Sequence, residues 1–200
     1  MKRFSILAII ITLFLSIACS DLNSKVKVEH FSGYKMYTES IQRLFNFTPD
    51  MGIEGDNISL KFKGDNKLIN ITYELWKNEK IFKTGEIIEL PIDKGFQGNI
   101  SIVLLFNTEN ANEDIKLFAD IKNDKEGGGA KYINIPNFLC KSGKWWCYSD
   151  EKYGVAFNEP VVIYELAARK DAMDIVNTNN NKNMENPWWK LLVKLNIKDK

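Results

Sequence analysis

The stretch 58–76, ISLKFKGDNKLINITYELW, carries apolar residues with a period of two. Ile58, Leu60 and Phe62 alternate with Ser59, Lys61 and Lys63. After Gly64-Asp65-Asn66 the same pattern resumes: Ile69, Ile71, Tyr73 and Leu75 against Asn70, Thr72, Glu74 and Trp76. Successive side chains of a strand point to opposite faces, so this alternation describes two half-buried strands with a turn at 64–66. Lys77 to Lys80 reads as a hairpin loop, from which Ile81 to Thr84 returns along the preceding strand. Gly85 separates that segment from Glu86 to Leu90, Pro91 closes the run, and Gly95 and Gly98 bracket another turn. Ile100 to Phe106, ISIVLLF, is apolar on both faces, which predicts a central strand.

Working outward, Asn107 to Asp114 is a polar loop, and Ile115, Leu117, Ala119 and Ile121 alternate again. Asn123 to Gly129 is the most flexible-looking stretch, because its three consecutive glycines lack side chains. Short strands are predicted at Tyr132–Ile135, at Tyr153–Phe157 with local pairing, and at the carboxyl end over Leu191, Val193, Leu195 and Ile197. Val161 to Val176 admits two readings. Val162, Tyr164 and Leu166 alternate, whereas Ala167 onward holds good helix formers, so a strand to about Leu166 followed by a short helix is expected. Thr38 to Phe45 is the other candidate helix, with Thr38 as N-cap. The fold class is therefore mainly β: an antiparallel β-sandwich or open barrel-like sheet with one or two short helices.

The amino terminus sets the compartment. Lys2 and Arg3 precede an apolar run, Phe4 to Ala18, which is followed by Cys19 and then by polar residues. The run is short for a membrane span, which takes about 20 residues, and its flanks fit a secretory signal. It resembles the signal of bacterial lipoproteins, in which cleavage precedes a cysteine whose thiol carries diacylglycerol. Leu15 stands four residues before Cys19 rather than the usual three, a relaxed form found in spirochaetes. The alternative is ordinary cleavage near Ala18 with Cys19 a free thiol. The expected organisation is a signal over 1–18, a lipidated Cys19 with a tether to residue 30, and one β-rich domain over 31–200. Together with its Lys, Asn and Ile bias, the chain resembles the surface lipoproteins of borrelial spirochaetes, including their plasmid-encoded paralogous antigen families. That resemblance implies a lipid-anchored, non-enzymatic outer-surface protein that meets host molecules. A place on the periplasmic leaflet, in an envelope structural role, is the other lipoprotein reading.

Without Lys2 and Arg3, 25 basic residues face 26 acidic ones, so no overall field of one sign is available to steer nucleic acid or an anionic membrane. With Cys19 lipidated, Cys140 and Cys147 are left as a disulfide pair across a short loop; two buried thiols are the alternative. No catalytic residue, metal ligand set or cofactor motif is assigned. His30 is the only histidine, and Gly127-Gly128-Gly129 lacks the lysine and hydroxyl of a phosphate loop. The candidate ligand contact is aromatic. Trp145, Trp146 and Tyr148 lie in or beside the disulfide loop with Lys144, and rigid aromatic side chains lose little entropy on binding. They suit a host protein or the stacking of a sugar ring. Because neighbours on an extended segment point opposite ways, one of the two tryptophans is expected to face the core. Trp188 and Trp189 carry the same ambiguity.

Overall fold

The structure is a computed structural model, and it describes residues 25–31, 51–125, 127–139, 144–148, 152–169 and 188–200. These form nine strands in one antiparallel hydrogen-bonded network. They are β1 (Lys25–Phe31), β2 (Met51–Lys77), β3 (Lys80–Asn107), β4 (Ile115–Asn123), β5 (Gly127–Ile135), β6 (Lys144–Tyr148), β7 (Lys152–Ala156), β8 (Val161–Arg169) and β9 (Trp188–Asp199). The order is β5-β4-β3-β2-β9-β8-β6, with β1 between β2 and β7. No described residue is helical.

The long β2–β3 ribbon organises the rest. Its strands pair from Met51↔Asn107 to Lys77↔Lys80, with register shifts at Phe62/Asp65, Ile71/Thr72 and Leu75/Trp76. The first shift is a bend. Gly64 and Gly95 take φ of 143° and 56° there, values that cost a glycine nothing. A Cβ on Gly95 would stand 3.0 Å from the Phe62 carbonyl oxygen. The bend divides the ribbon into halves with different neighbours. Before it, β2 pairs with β1 and β3 pairs with β4; after it, β2 pairs with β9.

Both halves turn their apolar rows into one core. Ile58, Leu60, Ile100 and Ile102 from one half join Ile69, Ile71, Leu75, Leu166 and Leu191 from the other in a single buried cluster. The architecture is thus a sheet folded over on itself into two facing layers, within the sandwich or barrel-like class expected. Phe62 and Phe96 stack at the fold line, 5.8 Å apart at 15°, and Phe157 meets Phe62 edge-on at 5.9 Å. The central strand is covered on both faces, as its sequence requires. Val103 and Leu105 join Phe118 in a second buried cluster, against which Met51 and Ile53 pack. The Ser101 hydroxyl donates to Asn57 Oδ1 at 2.5 Å within a buried cross-strand pair.

Several expectations change in the structure. The turns read at 64–66 and at 95–98 are positions inside continuous strands, because the ribbon bends there instead of reversing. Pro91 lies within β3 and does not end it. The three glycines open β5 and pair with β4 through Ile121↔Gly129 and Asn123↔Gly127. Glycine is needed at Gly128, where a Cβ would lie 1.8 Å from the Ile121 carbonyl oxygen. Lys25 to His30, read as tether, is most of β1, and its Val26 and Val28 alternate with Lys25, Lys27 and Glu29. Residues 152–156 pair with that strand and not locally. The segment Ala167–Arg169 continues β8, since Ala168 must reach the core beside Trp189; tertiary pairing overrides helix propensity there. The candidate helix at Thr38–Phe45 lies outside the described residues.

Candidate functional site: a tryptophan-bearing end of one layer

The distal end of the second layer starts with the turn between β2 and β3. Asn78 and Glu79 have φ of 49° and 62°, the pair of positive values that defines a type I′ hairpin. That two-residue turn fixes Lys77 opposite Lys80 and Trp76 opposite Ile81. From there the register runs across four strands. Lys77 stands opposite Trp189, Trp189 opposite Ala168, and Ala168 opposite Trp145. One residue along, Trp76 stands opposite Lys190, Lys190 opposite Ala167, and Ala167 opposite Trp146. On the other side, Trp188 stands opposite Arg169, and Arg169 opposite Lys144. All five tryptophans of the chain therefore occupy three consecutive register rows of one layer. Those rows cross about 14 Å from β2 to β6 at ~4.8 Å per strand.

The described side chains divide by face. Trp189 is half-buried against the main core. Buried Phe138 stacks on it at 5.9 Å and 24°, Phe82 meets it edge-on at 5.3 Å, and Lys77 Nζ lies 5.0 Å from its ring centre. Phe82 and its neighbour Ile81 are exposed at 53% and 52%. Trp76 lies on the opposite face of the layer. Its Nε1 donates to Glu74 Oε2 at 3.1 Å, and Lys190 Nζ is 5.8 Å from its ring centre. Lys194 donates to the other Glu74 oxygen at 2.5 Å. That bond holds the Glu74 carboxyl below its ordinary range; burial opposes it and the Trp76 bond adds to it. Charge-assisted bonds of this kind fix a side chain in place, so Trp76 is presented in one orientation.

The sequence-derived contact residues Lys144, Trp145, Trp146 and Tyr148 form β6 together with Cys147, the last strand of the order among the described residues, paired with β8. Trp145 shares a register row with core-facing Ala168, and Trp146 shares one with Ala167. Cys19 and Cys140 lie outside the described residues, and the expected Cys140–Cys147 bond with them. Sequence reasoning missed Trp76, Lys77, Ile81, Phe82, Phe138 and Lys190. The local signal was present, since Trp76 and Ile81 immediately flank the predicted hairpin loop. Their meeting with the 145 and 188 pairs depends on the strand order β2-β9-β8-β6, which no local pattern states.

The end is also basic. Lys77, Lys80, Lys83 and Lys190 lie on or beside the rows, as do the backbone positions of Lys144 and Arg169, while Glu79 is the acidic residue of the turn. Among the described residues no group of three or more His, Cys, Asp or Glu side chains converges as a metal site. No protein-family model, curated protein or solved structure matches this chain.

Proposed function

We propose that this chain is a bacterial lipoprotein anchored at Cys19 on the outer surface, whose sandwich is a display module for a host molecule and not an enzyme. In this reading the tryptophan-bearing end is the contact surface. The supporting observation is the gathering of all five tryptophans into adjacent register rows, with Ile81 and Phe82 exposed beside them. Aromatic residues grouped on a rigid sheet are typical anchors of binding surfaces, because they remove much apolar area from water at small entropic cost. The signal with its terminal cysteine supports the anchor, and acylation by several chains makes such an anchor durable. Borrelial surface lipoproteins are the group that the signal and composition resemble.

The lysines around the rows favour one ligand class in particular, a sulfated glycan such as a glycosaminoglycan. Aromatic faces stack on sugar rings, and lysines pair with sulfates. The test is retention on immobilised heparin together with proteolysis of intact cells. Surface display is expected to let added protease remove the domain without lysis, and Trp146→Ala or Lys190→Gln to shift heparin elution to lower salt. A protein protected on intact cells sinks surface display. Unchanged elution of both variants sinks this end as the glycan site.

A further inference from the structure

At the opposite end of the second layer, where the ribbon bends, a recess of about 270 Å³ is lined by Lys61, Lys63, Lys94 and Lys125 above Phe62 and Phe96. The four lysines are exposed. Among the described residues, none of their ammonium groups forms an ion pair, whereas Lys67 pairs with Asp199, Lys198 with Glu89 and Lys200 with Asp93. Among the described residues, Asp65, opposite Lys94, and Asp124, next to Lys125, are exposed and form no ion pair with the four. Four cations held around one recess repel one another, and an anion seated among them relieves that repulsion.

The chain enters the sandwich at this same end. Lys27 of β1 stands opposite Lys61, so Lys25, where the strand begins, lies alongside the bend. Cys19 precedes Lys25 by six residues. Six residues reach at most ~20 Å. An acyl chain on Cys19 therefore holds the lysine recess within one short span of the bilayer. The tryptophan rows, at Trp76 and Lys77, are eleven and twelve residues beyond Asp65 at the bend, about 36 Å along β2 at ~3.3 Å per residue.

We propose that the recess formed by Lys61, Lys63, Lys94 and Lys125 binds phosphate headgroups of the membrane that carries the Cys19 anchor, so that the sandwich stands on its bend with the tryptophan end outermost. The proposal rests on the anchored reading above for its geometry. Near a bilayer each lysine strengthens binding to anionic lipid by about fivefold, and the effect dies away within a Debye length. A recess beside the anchor can use that interaction, whereas lysines at the far end cannot.

The test uses the mature chain from residue 19 with Cys19→Ser, so that no acyl chain contributes, and measures co-sedimentation with vesicles. Binding is expected on mixed phosphatidylglycerol and phosphatidylcholine vesicles, with little on phosphatidylcholine alone. Changing Lys61, Lys63, Lys94 and Lys125 together to Gln is expected to weaken binding at least ~10-fold, the order set by several near-surface lysines. Lys116→Gln with Lys131→Gln, on β4 and β5, is expected to leave binding within about twofold, since neither lysine lines the recess. The proposal is overturned if the quadruple variant binds like the parent, or if the two vesicle types bind equally. It is also overturned if inorganic phosphate raises the melting temperature while vesicles of either kind stay unbound, because the recess then serves a soluble phosphate compound. Labelled palmitate incorporation in cells tests the anchor separately. Its absence, with vesicle binding intact, removes the anchor but supports headgroup binding by the recess.

Discussion

Trp189 and Phe82 touch, yet they differ in burial, and truncating each in turn separates core packing from the proposed contact role. Trp189 is half-buried, packs on the core, stacks on Phe138 and receives Phe82 edge-on. Full removal of a buried Trp or Phe side chain costs about 3–5 kcal/mol. Half of that burial, about 2 kcal/mol, plus two aromatic pairs at ~0.5–1.5 kcal/mol each, sets the expected cost of Trp189→Ala near 3–5 kcal/mol. Phe82 is 53% exposed and makes only the edge contact with Trp189 among the described rings, so Phe82→Ala should cost about 1 kcal/mol. The double variant should show a coupling of about 0.5–1.5 kcal/mol, the value of the ring pair itself. Urea unfolding followed by far-UV circular dichroism gives all three numbers from midpoint shifts at constant slope. Heparin retention of the same proteins gives the complement: Phe82→Ala should weaken it despite its near-native stability. Equal stability losses for the two single variants would refute the division of roles.

Two further outcomes follow from particular contacts. The Lys194 bond holds the folded-state Glu74 pKa below its ordinary value of 4.5. Its stabilisation is therefore present above that value and lost as pH falls through the lower folded one. Glu74→Gln should cost about 0.5–1 kcal/mol at neutral pH, and the gap from the parent should close in acid titrations of stability as the pH falls below 4.5 and through the lowered folded-state value. A gap that persists in acid would contradict the linkage. Gly128→Val should push β5 off β4, since its Cβ has no room beside the Ile121 carbonyl. The expected loss is about 1–3 kcal/mol, with faster amide exchange confined to β4 and β5. Unchanged exchange there would show that the close approach is absent.

What was legible in the sequence is what period two can carry. Ile69 to Leu75, Ile100 to Phe106, Ile115 to Ile121 and Leu191 to Ile197 are strands with the faces their patterns require. The hairpin at Asn78-Glu79 was legible because turn chemistry is local. The bend was not. Gly64 and Gly95 are punctuation in either reading, and only the pairing of Asp65 with Lys94 shows that they allow one ribbon to fold over. The three glycines misled for the same reason: they accommodate close approach of backbone as readily as flexibility. Val26 and Val28 carried a short alternation that the nearby signal and lysines masked. The contact surface was half legible. Its aromatic dipeptides were visible one by one, but their alignment comes from pairing between segments far apart in the chain, such as Trp76 with Lys190.

The proposed display geometry can be tested directly, because all five tryptophans lie at the end away from the bend, and bulk emission therefore reports where that end is. The acylated protein in vesicles should keep its emission when the lipid chains carry bromine, and should lose it to iodide added in solution. Strong quenching by the brominated lipids, with protection from iodide, would place the tryptophan end on the membrane and contradict its role as the displayed surface.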